Sequence, residues 1–224
     1  METDAKPPAK GEQTRALILE TALRLFRENG YDKTTMRAIA KEAGVSVGNA
    51  YYYFESKEHL VQGFYDHMVA EHRARSAPVL AAGGDFADRL REVLLAWLDV
   101  SGPYHAFATQ FFKNAADPNS PLSPFSEESG AARADGIALH RALLDGVKVD
   151  PQLRDDLPEL LWLFQMGIVL FWVHDRSEGQ ANSRTLVRRS APMVGRLLQL
   201  SRVPGVRKVA REATQLFRDV GWAR

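Results

Sequence analysis

The chain has 224 residues, of which 45% are hydrophobic and 25% are charged, a composition that excludes a wholly disordered protein. It has no cysteine, so disulfides, thiolate metal sites and cysteine nucleophiles are excluded. The formal net charge is +1, and the basic excess lies after residue 170, so no broad positive field is expected near the N-terminus.

Residues 1–11 are polar and include two prolines, which predicts a disordered tail without the apolar core of a secretory signal. The longest apolar run, residues 160–173, is shorter than the roughly 20 residues that span a bilayer. We therefore expect a helix buried against protein, no membrane partner and a cytoplasmic location.

The N-terminal part predicts four helices. In the first, Ile18, Ala22 and Phe26 share one face, and Asn29-Gly30 ends it. Thr35, Ser46 and Ser56 are suited to cap the next three, whose sequences begin MRAIAKEA, VGNAYYYF and KEHLVQGF.

Further helical patterns follow a break at Gly83-Gly84. They cover residues 85–100, 104–115, 131–144, 158–174, 184–200 and 206–220, and the turn-rich run DPNSPLSPFSEESG predicts a loop. No strand pattern of useful length occurs in the sequence, so we predict an all-α fold.

The segment from Thr35 to Phe54 predicts a helix-turn-helix. Two short helices are joined by a tight turn at residues 44–46, and Ile39, Ala40 and Ala43 form a small inner face that permits a close, steep crossing. In the DNA-binding form of this motif, the second helix enters the major groove.

The second helix of this motif has an unusual composition for a core helix. Its first turn, residues 47–50, has short side chains that permit close approach to base edges, and Asn49 carries both a donor and an acceptor. Tyr51, Tyr52 and Tyr53 cannot all face inward, so at least one hydroxyl is available to phosphate oxygens. Lys57 opposes the dipole of the helix that it begins, and a DNA phosphate gives a reason for its position.

Residues 14–65 closely resemble the tetracycline-repressor (TetR) family of bacterial regulators. The matching positions keep fixed spacing without a gap: residues 22–26, Gly30-Tyr31, Thr34-Thr35, Ile39-Ala40, residues 43–46, Gly48, Tyr51, Tyr53-Phe54, Lys57 and Leu60. The resemblance implies a DNA-binding transcriptional regulator that is not an enzyme, needs no cofactor, metal or catalytic residue, and acts as a ligand-responsive repressor.

The resemblance also implies roles for individual residues. Thr35 and Lys57 would hold phosphates, Tyr52 and Tyr53 would contact backbone or a base, and Tyr51 and Phe54 would be mainly structural. The expected DNA-binding set is Thr35, Arg37, Ser46, Val47, Gly48, Asn49, Tyr52, Tyr53 and Lys57. The expected domains are a three-helix DNA-binding domain at residues 12–58 and a larger helical ligand-binding and dimerisation domain at residues 59–224.

The second domain is rich in aromatic residues, which indicates either ordinary core or a pocket for an apolar or aromatic effector. The predicted pocket residues are Trp97, Tyr104, Phe107, Phe111, Phe112, His140, Trp162 and Met166.

The helix at residues 160–174 is apolar nearly all round, so a partner subunit is its natural cover on one side. Together with residues 184–200 it predicts a two-fold four-helix interface, and a symmetric dimer reads a palindromic operator. The predicted interface residues are Leu163, Gly167, Leu170, Phe171, His174, Val187, Val194 and Leu198.

Four alternatives remain at the level of the sequence. The chain could be a helical ligand-binding module without a DNA role, or a helical enzyme, although no nucleophile motif occurs. A third alternative is a metal site formed by histidines, although their spacing lacks a tight ligand pattern. The arginine-rich segment after residue 184 is interpreted as a solvated face, with a second nucleic-acid patch as the alternative.

Overall fold

The computed structural model describes residues 10–201 and 203–219, and within them the chain is all-helical, as predicted. Their α-helices are α1 (Lys10–Asn29), α2 (Met36–Glu42), α3 (Val47–Tyr53), α4 (Lys57–Ala82), α5 (Phe86–Ser101), α6 (His105–Ala115), α7 (Gly130–Leu143), α8 (Leu157–His174), α9 (Ala181–Leu200) and α10 (Pro204–Asp219). Short 3-10 turns lie at Gly102–Tyr104 and Glu178–Gln180. Residues 10 and 11, predicted as tail, begin α1, and residues 1–9 lie outside the described residues.

The chain forms two compact units. Unit 1 contains the residues up to His67 together with Ala106–Gly130, and unit 2 contains Met68–His105 and the residues from Ala131 onward. The predicted boundary between residues 58 and 59 differs from this division, because most of α6 and the loop after it belong to unit 1.

The core of unit 1 is aromatic. Phe107 of α6 stacks on Phe26 of α1 with ring centroids 5.8 Å apart, and Phe64 of α4 meets Phe107 edge-on at 5.7 Å. Phe111 packs edge-on against Tyr31 at 5.3 Å. Phe107 and Phe111 are both buried in this core, which supports the first helices, and their predicted place in an effector pocket stays a prediction.

The predicted loop after α6 is held to α4 by side-chain hydrogen bonds. Gln62 donates to the carbonyl of Pro121 at 2.7 Å, and the Tyr65 hydroxyl donates to the carbonyl of Leu122 at 2.8 Å. These bonds satisfy carbonyls that have no helical partner, so the loop has a defined path without regular structure.

In unit 2, α5 and α9 cross at close range. A Cβ at Gly195 of α9 would lie 2.8 Å from the Cβ of Ala87, so only glycine fits this crossing without a shift. The same face of α9 buries Val187, Ala191 and Leu198.

Helix α8 has a buried face that includes Leu161, Trp162, Gln165, Ile168 and Trp172. Among the described helices, α8 alone is long and apolar enough to cross a membrane by length and composition, with a mean hydropathy of 1.4 over 18 residues. A single helix of this kind does not establish a membrane span, since core helices of soluble proteins meet the same criterion.

The C-terminal arginines are partly engaged within unit 2. Arg211 binds Asp150 at 2.7 Å, and Arg218 binds Asp156 at 2.6 Å. Arg211, which belongs to the segment interpreted as a solvated face, keeps a partly exposed side chain while it pairs with Asp150. Together with Arg218 it attaches α10 to the acidic loop before α8.

Candidate nucleic-acid interface

Helices α2 and α3 are each fixed by a capping hydroxyl. Thr35 accepts a hydrogen bond from the amide of Ala38 at 3.2 Å, and Ser46 accepts one from the amide of Asn49 at 3.0 Å. Between the helices, Gly44 adopts a φ of +67°, a left-handed conformation that favours glycine. These short-range bonds set the geometry of the helix-turn-helix.

Helix α3 presents an open surface along one side. A Cβ added at Gly48 would meet no atom within 4 Å, Val47 is exposed, and Asn49 is half-buried. Ala50 is buried on the opposite side, and Phe54, the residue after the helix, is buried as predicted. The first turn of α3 therefore has room for a partner at close range.

The three tyrosines of α3 differ in their surroundings. Tyr52 is 80% exposed, Tyr51 is also exposed, and Tyr53 is half-buried. The rings of Tyr52 and Tyr53 meet edge-on with centroids 5.1 Å apart, which orients Tyr52 at the surface. A ring that leaves this much surface in water contributes little to the core, so a polar partner is a better reason for its position.

Lys57, at the start of α4, is held by Tyr31. Its ammonium donates to the Tyr31 carbonyl at 2.9 Å and lies 4.3 Å from the centroid of the Tyr31 ring. The Tyr31 hydroxyl donates to Glu58 at 3.1 Å. Burial alone would raise the pKa of Glu58, but hydrogen bonds from Ser56 and Tyr31 and the charge of Lys57 lower it. Sequence reasoning missed this role of Tyr31, because only the fold brings residues 31 and 57 together.

Thr35, Tyr51 and Lys57 line one surface concavity of about 310 Å³. The two predicted phosphate contacts are thus brought together from positions 35 and 57. Tyr51 was interpreted as mainly structural, but it is exposed and lines this concavity, so we add it to the candidate set. Three acidic residues, Asp32, Glu55 and Glu58, also line the concavity, so its net charge does not attract a phosphate. A phosphate would be held there by direct contact with Lys57.

The remaining predicted contact, Arg37, is exposed on α2. Lys33 and Lys41 are exposed nearby in the sequence, whereas α3 itself carries no charged side chain. This arrangement places cations on the elements that flank α3 and leaves uncharged groups on α3, which is the division expected between phosphate contacts and base contacts.

The predicted effector residues are divided between the two units. Phe107, Phe111 and Phe112 belong to unit 1, and the other five belong to unit 2. In unit 2, Trp97 lies edge-on to Trp172 at 5.1 Å, and His140 is fully buried on α7. A Cβ at Gly136 would lie 3.1 Å from the Trp162 ring, so α7 and α8 approach closely beside His140.

Besides Nε of Arg89, four buried polar atoms of unit 2 have no hydrogen-bond partner among the described residues. They are Ser76 Oγ of α4, His140 Nε2 of α7, and Gln165 Oε1 and Trp172 Nε1 of α8. His140 donates from Nδ1 to the Gly136 carbonyl at 2.9 Å, which leaves Nε2 as a free acceptor. Buried polar atoms are normally paired, so these four indicate a place for water or for a polar group of a ligand.

The buried imidazole of His140 predicts loss of stability in acid. Its pKa is lowered to about 4, mainly by burial. The hydrogen bond to the Gly136 carbonyl opposes this shift, and the nearby His72 adds to it. Between the ordinary value of 6.5 and about 4, the unfolded chain binds a proton that the folded chain does not, so stability falls as pH falls. We expect a loss of about 2 kcal/mol from pH 7 to pH 5, measured by urea unfolding.

The variant His140→Gln should reduce that pH dependence by more than half, with the remainder due to groups such as His72, whose pKa burial also lowers. His59→Gln, at an exposed position, should leave it unchanged. An equal slope in His140→Gln and the unmodified protein would contradict this account.

The predicted dimer residues differ in their exposure to solvent. Leu170 is 50% exposed on α8, where Gly167, Phe171 and His174 are exposed as well. Val187 and Leu198 are buried in unit 2 and leave little surface for a partner, and their predicted place in the interface stays a prediction. The exposed apolar side chains of α9 are Met193, Leu197 and Leu200, with Leu197 at 65%. The remaining two predicted residues, Leu163 and Val194, are half-buried.

Comparison with known proteins gives matches along most of the chain. The family described as "Bacterial regulatory proteins, tetR family" matches residues 18–63, and that described as "Tetracyclin repressor-like, C-terminal domain" matches residues 89–216. The HTH-type transcriptional regulator TtgR of Pseudomonas putida is 40% identical over 70 residues, which cover 30% of this chain and 33% of that protein. The chain thus spans about a third of the length of this curated relative.

Solved structures share the fold. The TetR transcriptional regulator from Nitrosomonas europaea has a TM-score of 0.63 at 18% identity, covering 80% of this chain and 96% of that chain. The regulator FadR from Bacillus subtilis, solved in complex with stearoyl-CoA, has a TM-score of 0.61 at 18% identity, covering 77% and 95%.

Proposed function

Because the chain belongs to the tetracycline-repressor (TetR) family of bacterial transcriptional regulators, we propose that it is a cytoplasmic, homodimeric repressor that binds a palindromic operator and releases it when an effector binds. The observation that carries the proposal is the open side of α3. Gly48 faces empty space and Tyr52 is exposed on a helix that a capping serine fixes, so the surface is formed before any partner arrives.

In the proposed complex, the first turn of α3 lies against base edges. Asn49 supplies the donor and acceptor pair, Val47 is placed to contact a thymine methyl, and Gly48 allows close approach. Ser46 lies along the groove beside these residues. The backbone contacts come from Thr35, Arg37 and Lys57, with Tyr51 added. Tyr52 and Tyr53 contact the backbone or a base. Phosphate contacts of this kind hold the register, while α3 supplies the sequence preference.

The dimer is proposed to form through the exposed faces of α8 and α9. Leu170 and Phe171 of α8 and Leu197 of α9 leave apolar surface in water in the single chain, and a two-fold partner would cover it. Two subunits related in this way present two α3 helices to half-sites about 34–36 Å apart.

The effector is proposed to bind in unit 2 beside Trp97, Trp162, Met166 and His140. The unpaired atoms of Ser76, His140, Gln165 and Trp172 include both donors and acceptors, so an apolar or aromatic molecule with at least one polar group suits the site. The related FadR structure holds an acyl-CoA, which is one example of such a molecule.

The proposed mechanism is a shift of populations. Helix α4 begins at Lys57 and ends at Ala82, so it contributes residues to both units and links them covalently. An effector that binds more tightly when the two α3 helices are held at a wider spacing would lower the population that fits the operator, in proportion to its differential affinity.

Fluorescence anisotropy on palindromic DNA from the region upstream of the chain's own gene tests the proposal. We expect specific binding that is at least about 1,000-fold tighter than binding to scrambled DNA of the same composition. Equal affinity for both sequences would overturn specific recognition. No binding to either would favour the ligand-binding module without a DNA role.

Lys57→Ala is expected to weaken binding to every DNA sequence and to flatten its dependence on salt. One phosphate contact is lost in each subunit, so the slope of log K against log salt should decrease by about one per subunit, or about two per dimer. Lys208→Ala, at an exposed position on α10 in unit 2, is the matched control. An unchanged slope in Lys57→Ala would contradict a phosphate contact at this position.

A further inference from the structure

Unit 2 contains a cavity of about 460 Å³ that the proposed effector and DNA sites do not use. It lies where α5 begins, and its walls come from the loop Gly83 to Asp85, the loop Asp145 to Lys148 and one side of α9. Its volume is within the range of small-molecule sites.

The inner wall of the cavity holds a buried arginine. Arg89 of α5 is only 7% exposed. Its Nη2 donates to the main-chain carbonyl of Asp145 at 3.3 Å, and its Nε has no hydrogen-bond partner among the described residues. No carboxylate lies within ion-pair distance of Arg89 in the described part of the chain. An arginine cannot lose its proton, so burial without an anion is strongly unfavourable.

A neighbouring arginine shows the contrast. Arg91, on the same helix, has ion pairs with Asp88 at 2.6 Å and Glu92 at 2.9 Å. The more exposed guanidinium thus has two carboxylate partners, whereas the buried one has none. Water screens charges at the surface, so a buried guanidinium needs a carboxylate partner more than an exposed one does. If Arg89 served only to stabilise the chain, Arg89 rather than Arg91 would be expected to have the carboxylate partners.

The remaining groups around the cavity define what could bind there. Lys148 adds a second cation, while Phe86 and Leu198 supply buried apolar walls. Two carboxylates also line the cavity. That of Asp85 caps α5 by accepting from the amide of Ala87 at 2.9 Å, and Asp145 contacts Arg89 through its main-chain carbonyl. The charges sum to zero, so attraction for an anion depends on direct contact with the two cations, above all with the buried guanidinium.

We propose that this cavity binds a small molecule through an oxyanion group, either a carboxylate or a phosphate, with Arg89 as the main contact and Lys148 as the second. A guanidinium offers two parallel donors that match either group. The site is separate from the proposed effector site, and its test does not depend on DNA binding.

Isothermal titration of the full chain with inorganic phosphate and, separately, with benzoate tests the proposal at constant ionic strength. We expect saturable binding of at least one probe, and the better probe identifies the oxyanion class. Arg89→Gln should weaken it at least about tenfold, as expected for loss of a charged hydrogen bond. Arg91→Gln, on the same helix, should leave it unchanged. Absence of binding by both probes, or equal binding in Arg89→Gln, would overturn the proposal.

Two surface variants keep the test decisive if Arg89→Gln does not fold. Lys148→Ala should weaken binding severalfold, and Asp145→Asn should strengthen it by removing a competing carboxylate. If the Asp145 side chain were instead the true partner of Arg89, Asp145→Asn would lower thermal stability without improving binding, and that result would overturn the proposal.

Discussion

Replacing Asn49 and Tyr52 together with alanine is expected to abolish specific operator binding while the chain stays folded. A good side-chain contact to a base contributes about 1–3 kcal/mol of discrimination, and a dimer makes each contact twice. The affinity for the operator should therefore fall at least about 1,000-fold, to near that for scrambled DNA. Anisotropy with both DNAs measures the change.

The structure indicates that this double variant remains stable. Tyr52 is the most exposed of the three tyrosines, and the amide of Asn49, not its side chain, makes the capping bond with Ser46. Alanine also favours a helix more than asparagine or tyrosine does. The loss of binding would then report on contacts with DNA rather than on folding, which circular dichroism and thermal unfolding can verify.

Phe125→Ala is a suitable control for the double variant. Phe125 is an exposed aromatic residue in unit 1 outside the helix-turn-helix, and its replacement should leave both affinities unchanged. If the double variant kept the operator affinity of the unmodified protein, α3 would not be the reading helix.

Leu170→Glu is expected to convert the dimer to a monomer. Leu170 is half exposed in the single chain, so glutamate there costs little within one subunit. In the proposed interface, each subunit would bury an unpaired carboxylate, at a cost of about 3–5 kcal/mol. Sedimentation velocity at micromolar concentration should show a mass near 25.0 kDa for the variant and twice that for the unmodified chain.

Leu197→Glu on α9 should act in the same direction, because its side chain is even more exposed. Leu17→Glu, at a comparably exposed position on α1, should leave the mass unchanged. The monomeric variants should also lose operator affinity, since a single α3 reads only one half-site. An intact Leu170→Glu dimer would refute the proposed interface.

Local chemistry explains why much of the helix-turn-helix could be predicted. Thr35 and Ser46 each accept a hydrogen bond from an amide three residues away. Gly44 adopts a left-handed backbone conformation that other residues rarely adopt. Interactions of this range are encoded in adjacent residues, so the sequence predicts both helices with their first residues correct and their last residues within one position. Helical periodicity likewise predicts that the three tyrosines of α3 cannot all face inward.

The assignment of aromatic residues could not be made locally. Phe107 and Phe111 have the same apolar character as Trp97 or Trp162, but α6 directs them to Phe26 and Tyr31 in unit 1. Hydrophobicity predicts that a ring is buried, yet it does not say against which partner, because burial is non-directional.

The sequence by itself determined the all-helical class, the helix-turn-helix and its capping residues, since these rest on short-range hydrogen bonds and on periodicity. Only the tertiary structure decided which side of α9 is exposed, how Tyr31 holds Lys57, and that Arg89 is buried without a carboxylate. Each of these depends on the rotation and crossing of helices distant in sequence. The crossing of α5 and α9 is an example. It requires glycine at position 195, because a side chain there would collide with Ala87, and periodicity within α9 does not predict that contact.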